Sequence, residues 1–344
     1  MPANAFRNIA RAVVIGGLVA VACKGSKSSS NTGSGGSEGG PGGVAQTGGA
    51  TGGVTGTGGV TGTGGRIGTG GVTGSGGVTG TVTGTGGRSG TGGAGTGGST
   101  GADGGASSCK RGIAANTAPG AAFYPAVTWW YNWAISGSGA KTGIELVPMI
   151  WGSGSVNSAI PSGSKYLLTF NEPNFKAQSN LTAAAAASYW PTIQSKAAGI
   201  PIIGPGMNFC GPADQCNGTD PYQYLTDFFT ACTGCEVDYV AVHWYNCDLA
   251  SLKDYLEPGG SLAGFEQFGK PIWLTEFSCD TSASAAQQEG YMRAAIPYLE
   301  GNPKVFRYSW FSADPIPNAK LVNSDGSPTA LGQVYIGLPQ NCQL

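Results

Sequence analysis

The sequence predicts an α/β protein, a (β/α)8 TIM barrel, and three observations carry that expectation. Eight short apolar runs recur along residues 109–344, helix-like stretches separate several of them, and the runs are continuously apolar rather than alternating. Strands that alternate with helices pair in parallel. Strands apolar at every position are buried on both faces. Eight such units close into a barrel. An open doubly wound sheet is the alternative, but no G-x-G-x-x-G follows the first run.

The runs are "RGIAA" at 111, "AVTWWYNW" at 126, "IELVPMIWG" at 144 and "KYLLTFNEP" at 165. Then come "IPIIGPGMN" at 200, "VDYVAVHWYN" at 237, "KPIWLTEFSC" at 270 and "KVFRYSWFSA" at 304. Helices are expected over Thr182–Ala198, which holds five consecutive alanines, over Tyr222–Ala231 and over Ser284–Glu300. In a barrel the chemistry sits at the C-terminal ends of the strands. The polar residues that end these runs should therefore converge on one mouth.

The rest of the chain is different in kind. Among its 344 residues, all 8 Trp and all 13 Tyr lie after position 122, whereas glycine crowds the first third. Residues 1–22 read as a signal peptide, with Arg7 and Arg11 before the apolar stretch Ala12–Ala22, which is too short to span a bilayer. Ala20-Val21-Ala22 forms a small-residue cleavage site followed at once by Cys23. That cysteine resembles the lipidated residue of the bacterial lipobox, with Ala20 where the motif usually has Leu. A secreted or lipid-anchored cell-surface protein of a bacterium is expected, reaching the membrane only through this anchor. Residues 23–108 repeat hexads such as "TGGVTG" at 51–56 and 57–62. Glycine does not fall at every third position, which excludes collagen, and too little is apolar to stack. A disordered linker is expected, a tether with a span of roughly 50 Å.

The formal net charge of −1 argues against a nucleic-acid partner. Of the nine cysteines, setting Cys23 aside leaves an even number for an oxidising compartment. The spacing suggests Cys210–Cys216 across a Gly/Pro/Asp loop, Cys232–Cys235 at a turn, Cys247–Cys279 after two strand runs and Cys109–Cys342 as a clasp. A zinc site would need more ligands than a domain with one histidine offers. No acidic cluster calls for a metal, and no phosphate-cradling loop calls for a nucleotide, so no cofactor is expected. A monomer is expected.

Glu172 ends run four and Glu276 ends run seven, and a barrel would place both at the same mouth. Two carboxylates flanking one bond are what glycoside hydrolysis requires, one protonated and one ionised. His243, in "AVHWY", shares a strand face with Ala241 and Tyr245. No Ser or Cys nucleophile motif accompanies it, so a hydrogen-bonding role is expected, with Tyr245 orienting a carboxylate. Trp129, Trp130, Trp133, Trp151, Trp244, Trp273 and Trp310 also cluster at run ends. Trp273 is expected to fill core, and the excess suggests indole faces for sugar rings.

The motifs "WWYNW", "LVPMIWG", "LLTFNEPN", "VDYVAVHWY", "PIWLTEF" and "FRYSWF" resemble, in order, those of glycoside hydrolase family 128, of the retaining (β/α)8 clan. The resemblance covers residues 111–336. It implies a retaining endo-β-1,3-glucanase that cleaves its β-glucan by double displacement. It further implies Glu172 as general acid/base, Glu276 as nucleophile and Asn171 on the sugar 2-hydroxyl. His243 and Tyr245 would line the cleft, and Trp129, Trp130, Asn132, Trp151 and Trp310 would form sugar subsites. The chain departs from the family in its cysteines and in the loop Phe209–Pro221. A β-1,4- or β-1,6-glycanase of the same clan, or a non-catalytic glucan-binding surface protein, are the competing readings.

Overall fold

A computed structural model of the chain describes residues 109–138 and 143–342. The expected signal peptide, the expected linker and Cys23 lie outside the described residues. The strands are β1 (Arg111–Ala114), β2 (Trp129–Tyr131), β3 (Glu145–Leu146), β4 (Met149–Ile150), β5 (Leu167–Asn171), β6 (Ile202–Met207), β7 (Tyr239–Tyr245), β8 (Ile272–Ser278) and β9 (Val305–Phe311). They form one curled sheet in the order β3-β2-β1-β9-β8-β7-β6-β5-β4, and every pairing is parallel. The arrangement is α/β, of the TIM-barrel kind.

Eight runs give nine strands because run three breaks at Val147–Pro148. Proline has no N–H to give a ladder. The first half of the run pairs with β2, where Val147 N donates to Trp130 O at 2.9 Å. The second half pairs with β5, where Leu168 N donates to Pro148 O at 2.9 Å. The two ends of the strand order are therefore two halves of one run, joined by two residues.

Period-two alternation sorts the strand side chains into two layers. Inside the curl lie Ala114, Trp129, Tyr131, Met149, Leu168, Ile203, Ala241 and Trp273. Outside, Ile113, Trp130, Phe170, Val242, Leu274 and Trp310 meet the helices. Continuous hydrophobicity follows, since every position of β5, β6 and β8 is buried. Near the strand starts, the Arg307 guanidinium sits 4.5 Å from the Tyr166 ring centre and 5.0 Å from that of Trp273. It also pairs with Glu145 at 3.1 Å.

The three expected helices form as α1 (Ala183–Ala197), α2 (Pro221–Ala231) and α4 (Ala285–Gly301). Thr182, Asp220 and Ser284 cap them by accepting N–H donors of the first turn. Two eight-residue helices, α3 (Leu249–Leu256) and α5 (Ala330–Gly337), were not expected from the sequence; Asp248 and Thr329 cap them.

Four disulfides join Cys109–Cys342, Cys210–Cys216, Cys232–Cys235 and Cys247–Cys279. The first lies beside a buried polar network at the junction of the two ends of the domain. Arg111, fully buried, meets Glu300 at 3.2 Å and donates to Tyr308 Oη and to the carbonyls of Tyr335, Leu338 and Pro339. Lys110 Nζ donates to the carbonyls of Leu299, Glu300 and Asn302. Removing one partner of a buried ion pair strands the other in a dry site. Glu300→Ala is therefore expected to lower unfolding free energy by about 3–5 kcal/mol in a denaturant titration. Gly112 carries a different constraint, because a Cβ there would meet the Trp129 ring at 2.2 Å. Gly112→Ala is expected to cost about 1–3 kcal/mol by the same measurement.

Candidate active site

Glu172 is the first residue past β5. Its backbone turns left-handed, with φ of 39°, and its N donates to Gly206 O on β6 at 3.0 Å. Pro173 follows and cannot extend the ladder. Glu276 is aimed by a different device. Against β7, Val242 pairs with Leu274 and His243 pairs with Glu276, so β8 carries one extra residue, Thr275. Against β9, Leu274 pairs with Tyr308 and Phe277 with Trp310, so the same excess recurs. A bulge of this kind re-aims the next side chain, and here it turns the carboxylate into the curl. Tyr131 and Ser309 donate to the carbonyl of Thr275 that the bulge exposes.

His243 stands between the two acids. Its Nδ1 lies 3.0 Å from Glu172 Oε1 and 3.3 Å from Glu276 Oε2. Glu276 Oε1 accepts from Trp133 Nε1 at 2.7 Å and from Tyr131 Oη at 3.0 Å, and its Oε2 accepts from Tyr245 Oη. Glu172 Oε1 accepts from Asn208 Nδ2 at 3.1 Å. Glu172, Glu276 and His243 are 6%, 4% and 1% exposed. One carboxylate oxygen of each acid and a ring nitrogen of His243 all lie within 4.8 Å of one another. Such a trio could hold a cation, but the surrounding groups are O–H and N–H donors aimed at the carboxylates. The set suits two hydrogen-bonded acids rather than a metal.

Burial raises the Glu276 carboxyl above its ordinary range, and the charge of Glu172 adds to this; His243, Tyr245 and Trp133 oppose it. Burial alone would lower His243, but the charges of both acids and the hydrogen bond to Glu172 outweigh it and leave the imidazole raised. Tyr131 and Tyr245 are raised well above the usual phenol value by burial and then by the charge of Glu276, so both stay protonated donors.

Residues 112–335 match a family model described as the glycosyl hydrolase catalytic core. The chain belongs to glycoside hydrolase family 128. A solved endo-β-1,3-glucanase of subgroup II of that family, from Sorangium cellulosum, is 38% identical, with 67% of this chain and 99% of that chain covered and a TM-score of 0.59. A subgroup I endo-β-1,3-glucanase from Amycolatopsis mediterranei, solved with laminaritriose, is 29% identical, covers 66% of this chain and 98% of that chain, and has a TM-score of 0.55. Among curated proteins, alkali-sensitive linkage protein 1 of Schizosaccharomyces pombe is 35% identical over 229 residues, 61% of this chain and 40% of its own. This chain thus spans less than half the length of that relative.

Several residues expected at the site of this family 128 member lie elsewhere. Trp129, Trp130 and Trp310 are 0%, 1% and 0% exposed, so none can face a sugar. Trp129 fills the inner layer and donates to Lys110 O; Trp310 fills the outer layer and donates to Ala319 O. Trp130 is on the outer layer too and Trp244 is buried, while Trp273 fills the inner core as expected. A Trp inside a strand buried on both faces is core whichever way it points. Trp151 is half-buried against the inner layer. Asn132 is half-buried past β2, its Oδ1 accepting from Ala134 N. Asn171 is buried at the end of β5, with Nδ2 on Gln178 Oε1 at 3.2 Å. Glu172, His243, Tyr245 and Glu276 come together as described.

Tyr131, Trp133 and Asn208 also reach the acids. Tyr131 and Asn208 were not expected at the site, and Trp133 was expected only as one of the tryptophans clustered at the run ends, not as a donor to Glu276. The alternation along β2 held the signal for Tyr131, which shares a face with Trp129. Run five ends on Asn208, the position where the other runs place polar site residues.

Glu276 and His243 hold their protons more tightly folded than unfolded. Their contribution to stability is therefore greatest below their unfolded values and is lost as pH rises through the raised ones. Thermal stability is expected to fall as pH rises above the ordinary carboxylate and imidazole values of 4.5 and 6.5. Glu276→Gln is expected to flatten that fall in thermal unfolding curves. A variant with the wild-type slope would assign it to other groups.

Proposed function

We propose that this family 128 member is a retaining endo-β-1,3-glucanase acting at the mouth of a closed (β/α)8 barrel. The observation that carries the reading is the pair of buried carboxylates, one oxygen of each within 4.8 Å of the other and each acid with its own donors. Retaining glycosidases place their two carboxyl groups about 5–5.5 Å apart, whereas inverting ones leave room for a water at roughly 6.5–9.5 Å. Carboxylate oxygens this close, one from each acid, are compatible with the retaining spacing.

Glu276, ringed by Tyr131, Trp133 and Tyr245, is the nucleophile. Its oxygen attacks the anomeric carbon while Glu172 gives its proton to the departing glycosidic oxygen. The bond to the leaving sugar breaks as the bond to Glu276 forms. Water then gives a proton to Glu172 and attacks the same carbon, which frees Glu276 and releases the sugar with its configuration kept. The β-1,3 linkage is supported by the solved relatives, which are β-1,3-glucanases by description. In this proposal residues 1–108 supply export, lipidation at Cys23 and a tether.

The test is hydrolysis of a panel of β-glucans, with the anomer of the first product read by NMR. Internal cleavage of β-1,3-glucan to the β-anomer is expected. The α-anomer would overturn retention, and cleavage of β-1,4- but not β-1,3-glucan would overturn the linkage. Glu276→Gln is expected to lower turnover on the order of 10³-fold or more while glucan binding persists.

A further inference from the structure

Glu172 is gripped at one oxygen. Asn208 Nδ2 and His243 Nδ1 both meet Oε1, at 3.1 and 3.0 Å. Among the described residues, no hydrogen-bond donor reaches Oε2. A carboxyl held in this way has a preferred proton site, because the oxygen that accepts from Asn208, and from His243 when Nδ1 carries the ring proton, is the poorer place for its own proton. The free oxygen is left to carry the proton toward a leaving group.

Asn208 owes its place to the loop that follows it. The loop Phe209–Pro221 is closed on itself by Cys210–Cys216. It is also laced to the segment just past Glu172. Asn174, fully buried, donates from Nδ2 to Asn208 O at 2.8 Å and to Gly218 O at 3.1 Å. Asn217 N donates to Asn174 O at 2.7 Å, and Lys176 N donates to Gln215 O at 2.9 Å. Phe175 and Cys216 form an antiparallel bridge, and Asn217 Nδ2 reaches Pro173 O and Asn180 Oδ1. The loops after β5 and β6 are thus one laced unit. One of its roots carries Glu172 and the other carries Asn208.

We propose that Asn208 is a positioning residue for the proton-donating carboxyl of Glu172, and that the loop closed by Cys210–Cys216 is the brace that keeps it there. Asn208 fixes Oε1 and so presents Oε2 to the glycosidic oxygen. The inference rests on Glu172 being the general acid. It differs from a substrate-binding role, in which Asn208 would act through KM on every substrate alike.

The experiment compares two substrates that differ in their need for a proton. A laminari-oligosaccharide has a sugar hydroxyl as leaving group and requires protonation. A dinitrophenyl β-laminaribioside has a leaving group that departs unprotonated, so kcat/KM for it does not draw on the acid. Asn208→Ala is expected to lower kcat/KM on the oligosaccharide about tenfold or more, mostly through kcat, the size of effect of a lost hydrogen bond to a charged group. On the aryl glycoside it should stay within about twofold of wild type. Asn208→Leu, close in shape and without the N–H, should give the same split if the smaller side chain unsettles the loop. Cys210→Ser with Cys216→Ser should give it in weaker form.

Equal losses on both substrates, a rise in KM alone, or no loss would overturn the positioning role. A wild-type substrate ratio in the double cysteine variant would overturn the brace. A wild-type enzyme that cleaves neither substrate would instead overturn the proposed function, and this inference with it.

Discussion

Two glutamates buried side by side repel each other, and burial makes the repulsion worse because little water is left to screen it. The site is organised around that problem. His243 lies between the acids, and hydroxyl, indole and amide donors take up their oxygens from the sides. The donors are shared unequally, with three side chains besides His243 on Glu276 and one on Glu172. On Glu276, His243, Tyr245 and Trp133 oppose the rise that burial imposes without cancelling it. The donors come from the ends of three strands, Tyr131 and Trp133 at β2, Asn208 at β6 and His243 and Tyr245 on β7, so the site exists only when the sheet has curled.

Two strained backbones mark the same place. Trp133 has φ of 59° and Glu172 has φ of 39°, in a region that side-chain-bearing residues rarely adopt. Each costs about 1–3 kcal/mol and persists only where the surroundings over-determine it. For Trp133 those surroundings are its bond to Glu276 and its packing on Tyr131 and Phe311 at 5.3 and 5.7 Å. For Glu172 they are the β6 carbonyl behind it and the laced loops in front.

The acids were legible in the sequence because each ends an apolar run, and a charged residue there has few structural reasons to exist. The strand count was legible to within one break, since Pro148 announces its missing N–H but not which neighbour each half of the run will join. The tryptophans were misleading. Their number suggested a sugar-lined mouth, yet Trp129, Trp130 and Trp310 are interior, because indole serves a two-layered core as well as it serves a ligand. The bulge at Thr275 was not legible at all. It is a mismatch between β8 and both of its neighbours, and no residue of β8 alone encodes it.

Cys247 and Cys279 sit just past the ends of β7 and β8, with their Cα atoms 4.7 Å apart. The strands they close carry His243, Tyr245 and Glu276. Between the two cysteines the chain runs through α3, whose Leu252, Tyr255 and Leu256 are buried, crosses an exposed turn at 258–261 and returns along β8 itself. The crosslink confines that stretch to a loop whose ends are already pinned together. Only the exposed turn at 258–261 can change length or sequence without disturbing buried α3 or β8, so variation in this stretch is confined to a short surface segment that the crosslink holds apart from the reactive groups.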